Sequence, residues 1–419
     1  MKKFLPIIFV ILLSSFIIFY QKNQIPKNLT FDEVEFARLA LSLENKSYTP
    51  YSPLATGHST LYFYVLLFSL KIFGINIFAL RLPSALFAIL AVIVFYLILK
   101  KTVQQFNNLA ILVFITSRWF ITFSRFSFEA TFLLFLELTA IYFLIKYLDN
   151  RLNKYLIFSA IFTGLSFNSY TPGRIFFLLP LSILLFHSIK NKQFNNLTIK
   201  QFLYFLLPFI IMITPLTSYF LTHQDTRVDQ LFFWKNHEMT INQKIIGSLE
   251  NIKSITLMFF IQGDMNGRHN YPGKSALNPI LSIFFILGFF ITIKNFLKNK
   301  NIIALLFIIY FFISVFPSVP IYPWENPNML RTFTTLPPII FFISQGLIFI
   351  NNFLKKYFSN NLAMIVLSLI IFTSSFYELR TYFKYQKIVF NQAFEVKYPL
   401  DKAIKINQKY EINQKNYQK

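Results

Sequence analysis

The chain is broken into apolar runs close to the length that crosses a bilayer. They cover 4–20, 82–99, 108–123, 127–148, 155–169, 175–189, 202–221, 279–293, 302–316, 332–350 and 361–377. A helix needs roughly 20 apolar residues to span the hydrocarbon layer, so this spacing predicts an all-α integral membrane protein with about eleven transmembrane helices. Composition agrees. Apolar residues make up 55% of the chain and 56 residues are Phe, more than the polar surface of a soluble fold could cover. The longest polar stretches are 21–58, 222–255 and 378–419, so no soluble domain of ordinary size is expected.

One run does not fit. Leu61 to Gly74 is short and contains Lys71. It reads as a helix lying near the surface of the first loop rather than a span. Charge supports this choice. If 61–74 does not cross, one side of the membrane holds Lys2, Lys3, Lys100, Lys101, Lys146, Arg151, Lys154, Lys190, Lys192, Lys200, Lys294, Lys298, Lys300, Lys355 and Lys356, with Asp149 the lone acid. That is the cytoplasmic pattern. The N-terminus is then cytoplasmic, and residues 378–419 form a short extracytoplasmic tail behind a polytopic body of 1–377. Phe4 to Tyr20 follows two lysines without a small-x-small cleavage pattern, so it is expected as an uncleaved anchor. The cell (plasma or inner) membrane is the expected location.

The net charge of +23 comes mostly from these lysines and needs no nucleic-acid partner. No basic domain interleaved with aromatics is present. The absence of cysteine excludes disulfides and thiolate chemistry. The arginines are sorted differently from the lysines. All but Arg151 fall in outer loops or near outer helix ends. Topology needs only positive charge, whereas a guanidinium can grip two oxygens of a phosphate or carboxylate. Snorkelling to lipid headgroups is the plainer account of any single one of them.

After the first span comes Thr30-Phe31-Asp32-Glu33-Val34-Glu35-Phe36-Ala37-Arg38. Thr30 and Glu33 have capping-box spacing, so a helix is expected to start here. Phe31, Val34, Ala37 and Leu41 give it one apolar stripe, suited to the membrane interface. Asp32 lies in the first turn, where a carboxylate also favours the helix dipole. It is a candidate general base for an attacking hydroxyl, with Glu33 as its candidate acidic partner. Asp264 and His269 make a weak metal pair. Glu137 sits inside a span, where a carboxylate needs a partner or a proton.

The N-terminal third resembles the polyprenyl-phosphate-dependent glycosyltransferases of the GT-C fold, which include protein O-mannosyltransferases and aminoarabinose transferases. The stretches that carry the resemblance are Phe31 to Arg38, Gly57-His58-Ser59-Thr60-Leu61-Tyr62, Phe73-Gly74 through Arg81-Leu82-Pro83-Ser84-Ala85-Leu86-Phe87, and Trp119 leading to Ser124-Arg125. Weaker likenesses to bacterial members lie at Ser169 to Arg174, Gly263 to Asn270 and Asn328 to Thr332.

The resemblance implies a GT-C body whose first outer loop, 21–81, carries interfacial helices and the catalytic residues. It implies Asp32 as the base and Arg81 as an important arginine. His58 falls where members carry a phosphate-binding Lys, a departure that Arg125 and Arg174 are placed to offset. His58, Arg81, Arg125, Arg174 and Arg331 are the expected lipid-phosphate set, converging with Asp32 on one outward pocket. Tyr170, Asp264, Arg268 and His269 are expected to shape the cavity or touch the acceptor. The reaction implied is inverting transfer of a sugar from a polyprenyl-phosphate donor to an acceptor hydroxyl on a protein, lipid or glycan, with no cofactor and no metal. A membrane glycan polymerase or ligase, and a polytopic transporter, are the competing readings.

Overall fold

The computed structural model of the chain describes residues 5–191 and 196–417. Lys2, Lys3 and Lys192 of the expected cytoplasmic set lie outside the described residues. The chain opens with α1 (Leu5–Phe19) and α2 (Phe31–Ser42). A two-residue hairpin follows, β1 (Tyr51–Ser52) against β2 (His58–Ser59), paired Tyr51 to Ser59 and Ser52 to His58. Then come α3 (Leu61–Phe73), α4 (Ile77–Thr102), α5 (Asn107–Thr116), α6 (Arg118–Arg125), α7 (Ala130–Asn150), α8 (Asn153–Phe167), α9 (Leu178–Lys190) and α10 (Asn196–Phe220). Two loop helices, α11 (Thr226–Leu231) and α12 (Ile241–Phe260), precede the closing set of α13 (Pro279–Asn299), α14 (Ile302–Val315), α15 (Leu336–Leu354), α16 (Asn360–Arg380), α17 (Lys387–Ala393) and α18 (Leu400–Tyr417).

Every expected span falls on a helix, but the expected count of eleven is not met by length. Among the described residues, seven helices are long and apolar enough to cross: those at 77–102, 130–150, 171–190, 199–220, 279–299, 333–354 and 360–393. The other four expected spans fall on α1, α5 with α6, α8 and α14, which are shorter. At 1.5 Å per residue, a 15-residue helix such as α1 or α8 reaches about 22 Å, less than the roughly 30 Å hydrocarbon core.

Three sequence expectations need correction. The run 108–123 is not one helix. It breaks at Ser117 (φ −57°, ψ 125°), and all of α6 is buried. The break lets Arg118 turn into the protein, where it meets Glu378, Asn270 and the Ser275 carbonyl. Second, the helix of the last expected span does not stop at 377. Helical structure continues through a π segment at 381–386 into α17, as one 34-residue element, 360–393. Third, the stripe expected to face the membrane interface does not do so as a unit: Phe31 is exposed, whereas Val34 and Ala37 are buried in the protein. The buried residues of α2 are Glu33, Val34 and 36–40, because α2 packs against both α3 and α18.

The 61–74 run forms the helix α3. At 13 residues it is short, and it packs on α4 and α2. Phenylalanines fill the helix interfaces, for example Phe307 stacked on Phe341 at 3.9 Å between centroids. Between helices in lipid, such packing does the work that water-driven burial does elsewhere.

The two ends of the bundle differ. At one, short turns meet each other: Lys101 pairs with Asp149, Arg151 with His187, and Lys190 with the Lys300 carbonyl. At the other, long connections fold over one another. Leu29 bridges Val396, Tyr51 bonds Asp225, Phe232 bridges Ile321, and Trp119 Nε1 donates to the Met329 carbonyl at 2.7 Å. The candidate site residues lie at this second end.

Candidate functional site

The acidic segment forms as its spacing predicts. Thr30 Oγ1 accepts from the Glu33 amide at 3.0 Å, and Glu33 Oε2 accepts from the Thr30 amide at 3.2 Å, a complete capping box. The two acids then part company. Glu33 is fully buried. It takes Arg81 through two oxygens, Nε to Oε1 at 2.7 Å and Nη2 to Oε2 at 2.8 Å, and also accepts from the Ser127 amide at 3.0 Å. Asp32 is 54% exposed, and its Oδ2 accepts from Arg268 Nη1 at 2.6 Å. Glu33 is therefore not a partner of Asp32; it faces the opposite way and fixes the loop to α4.

The expected phosphate-binding set divides as well. Arg81 is completely buried, and besides Glu33 it serves the carbonyls of Pro26 and Asn28 at 2.7 and 2.6 Å. Arg125 is completely buried and donates to the carbonyls of Ile17, Ile18 and Ile25. Ile17 and Ile18 belong to the last turn of α1, whose carbonyls have no helical partner, so Arg125 caps that helix. His58 lies between Glu129 Oε1, 2.7 Å from Nδ1, and the Ala55 carbonyl, 2.9 Å from Nε2. All three have their donors committed to protein acceptors. The geometry does not favour them as lipid-phosphate ligands, nor does it bring Arg81 or Arg125 onto Asp32; Arg268 takes that position.

Arg174 and Arg331 do come together. With Arg227 and Tyr170 they line a cavity of about 150 Å³ whose remaining walls, Thr171 aside, are apolar, among them Phe232, Phe316 and Pro317. Arg331 is nearly buried and pairs with Glu325 through Nη2 at 3.2 Å, while its Nη1 has no protein partner. Arg174 pairs with Asp225, and its buried Nε has no protein partner. Burial lowers the Arg331 pKa, offset by Tyr170 and Glu325. Burial pushes the Tyr170 phenol up to about 12, against the pull of Arg331 and Arg227, so the hydroxyl stays a donor. Guanidinium groups lining a largely apolar cavity suit a phosphate attached to a hydrocarbon.

A tight turn supports this cavity. Ala55, Thr56 and Gly57 all have positive φ, 55°, 69° and 95°. A side chain at Gly57 would collide with the Tyr51 and Thr226 hydroxyls, and Arg227 bonds Thr56. Rings connect the cavity to α2: Tyr170 meets Phe128 at 5.9 Å, and Phe128 meets Phe36 at 5.0 Å.

Asp264 and His269 hold a loop together. Asp264 Oδ2 lies 2.9 Å from His269 Nδ1 and accepts from the Met329 amide at 2.8 Å, while Oδ1 accepts from the Asn266 amide at 2.8 Å. Glu137 receives the Tyr310 hydroxyl at 2.9 Å. Two residues of this end were not singled out from the sequence. Arg227 was only one of several outer arginines there, and Glu395 lies in the tail without a motif around it.

A long-loop end above a polytopic helical bundle, with the acidic helix after the first span, defines the GT-C fold. Residues 57–219, well under half of the chain, match the family described as dolichyl-phosphate-mannose-protein mannosyltransferase. Among solved structures, the chain is similar to the archaeal oligosaccharyltransferase AglB from Archaeoglobus fulgidus, in complex with an inhibitory peptide and a dolichol-phosphate. The TM-score is 0.53 and the identity 12%, over 94% of this chain and 56% of that one. It is similar to ArnT from Cupriavidus metallidurans bound to undecaprenyl phosphate, with a TM-score of 0.55 and 11% identity, over 95% of this chain and 77% of that one. The apo oligosaccharyltransferase of A. fulgidus gives 0.53 and 13%, over 94% and 56%. At such identities the likeness is one of fold, and the chain spans little more than half the length of the archaeal enzyme. The search of curated proteins finds no match.

Proposed function

We propose that the protein transfers a sugar from a polyprenyl-phosphate donor to an acceptor hydroxyl, with inversion, at the extracytoplasmic face of the cell membrane. One observation carries this reading: a half-exposed carboxylate, Asp32, shares an end of the bundle with a largely apolar cavity lined by Arg174, Arg227 and Arg331. The solved relatives, described with dolichol-phosphate and undecaprenyl phosphate, support a lipid-phosphate ligand. The lysine-rich short turns support a cytoplasmic opposite end.

In this reading Arg174, Arg227 and Arg331 hold the donor phosphate, Tyr170 donates a hydrogen bond to it, and the prenyl chain lies along the apolar wall. The acceptor oxygen attacks the anomeric carbon as its proton passes to the Asp32 carboxylate. The bond from that carbon to the phosphate oxygen breaks, and the electron pair stays on the phosphate, where the guanidinium groups stabilise the growing charge. Direct displacement inverts the anomeric centre. Residues 1–377 form the transferase body, with 21–81 as its catalytic segment. The acceptor is a hydroxyl on a protein, lipid or glycan.

The test is sugar transfer from lipid-linked donor in membranes carrying Asp32→Asn. The expected result is normal protein level with turnover reduced at least roughly a hundredfold, the lower range for a positioned base. Turnover equal to the wild type would remove Asp32 as the base.

A further inference from the structure

Arg268 stands between two carboxylates. Its Nη1 donates to Asp32 Oδ2 at 2.6 Å, and its Nη2 lies 3.9 Å from Glu395 Oε1. Glu395 comes from the segment between α17 and α18, far away in sequence. Its Oε1 also accepts from the Phe31 amide at 3.1 Å, at the start of the helix that carries Asp32.

All three backbones are pinned. Asp32 sits behind the Thr30–Glu33 capping box. On either side of Glu395, Phe394 packs against Phe126 and Phe390, and Val396 exchanges two backbone hydrogen bonds with Leu29 at 3.0 and 2.9 Å. The Arg268 amide donates to Asn266 Oδ1 at 3.0 Å. Gly267 lies so close to α17 that a Cβ there would come within 2.8 Å of Val389 Cγ1 and 3.0 Å of Ala393 Cβ. What remains movable is the Arg268 side chain, 30% exposed between carboxylates that are 54% and 28% exposed.

While Arg268 Nη1 donates to Asp32 Oδ2, the guanidinium stands where an acceptor hydroxyl would approach that oxygen. Freeing the oxygen means moving the guanidinium, and a second carboxylate nearby keeps it paired. A shift of about 1 Å would bring Nη2 to normal charge-assisted distance from Glu395. We propose that Glu395 is a positioning residue that receives Arg268 when the acceptor arrives, freeing Asp32 Oδ2 for the acceptor hydroxyl. The C-terminal segment is then part of the transferase site. This inference rests on Asp32 being the base.

The test uses the full chain in membranes, with the total lipid-linked sugar extract of the source cells, metabolically labelled, as donor. Glu395→Gln keeps an oxygen for the Phe31 amide and removes only the charge; Glu395→Ala removes both. The expected result for Glu395→Gln is a maximal rate about tenfold lower, equal to that of Glu395→Ala, with an unchanged half-saturating donor concentration and melting temperature. In an Arg268→Gln background, Glu395→Gln should slow the enzyme no further, since interacting residues are non-additive. A wild-type rate in Glu395→Gln, with loss only in Glu395→Ala, would make Glu395 a helix cap and overturn the proposal. Independent, additive losses in the double variant would overturn it as well. An active Asp32→Asn variant would instead bring down the underlying assignment of the base.

Discussion

Asp32 and Glu33 are neighbours in sequence and opposites in structure: Glu33 is sealed against Arg81, and Asp32 is half open against Arg268. One residue step, about 100° around the helix, therefore separates a carboxylate that holds the fold from one that is half open.

Substitution should separate the two. Glu33→Gln strips the buried Arg81 of its countercharge, and breaking a buried pair costs roughly 3–5 kcal/mol. The expected outcome is a lower melting temperature and lower yield in membranes. Asp32→Asn should leave both unchanged. Thermal unfolding of the two purified variants, side by side, checks this.

The arginines should divide in the same way. Arg331→Gln and Arg174→Gln each remove a donor from the apolar-walled cavity. A hydrogen bond to a charged group contributes about 1.5–3 kcal/mol, so polyprenyl-phosphate affinity should fall roughly ten- to a hundredfold. Arg125→Gln removes the cap of α1 and should lower stability while the folded fraction binds lipid normally. Binding titrations with undecaprenyl phosphate distinguish these outcomes.

Lys22 sets a pH dependence of stability. Burial, with the charges of Arg125 and Arg81, lowers its pKa from 10.5 to about 7. Between those values the unfolded chain binds more protons than the folded one, so the Lys22 contribution makes the protein more stable as pH rises from about 7 to 10.5. Below about 7 the full penalty of a buried ammonium is present. Lys22→Met should therefore raise the melting temperature most near pH 7 and least near pH 10. An equal gain at both pH values would contradict this.

Gly267 is where the Arg268 loop meets α17. Gly267→Val overpacks that contact, at a cost of about 1–3 kcal/mol, and pushes Arg268 away from Asp32. The expected signature is a reduced maximal rate with donor affinity retained, measured on the folded protein.

Much of the scaffold was legible in the sequence because it depends on short-range pattern. The apolar runs placed the helices, and Thr30 and Glu33 announced the capping box. Which guanidinium groups are free was not legible. The partners of Arg81 and Arg125 include backbone carbonyls at Pro26, Asn28, Ile17 and Ile25, and a carbonyl carries no sequence signature. The partner of Glu137 lies on another helix, at Tyr310, for the same reason hidden from local reading. The break at Ser117 follows from where Arg118 must reach. The tail was expected only as a short extracytoplasmic segment; what ties it to the first loop is the Leu29–Val396 bridge, a backbone contact to which side-chain identity contributes little.

That bridge also bears on how the protein is made. Leu29 is translated before every helix from α2 to α17 and Val396 after them, so those helices can insert before the two meet. A nascent chain would carry Asp32 beside its lipids throughout synthesis, yet with Glu395 still untranslated. The contact that brings Glu395 to the Phe31 amide would then be among the later ones to form.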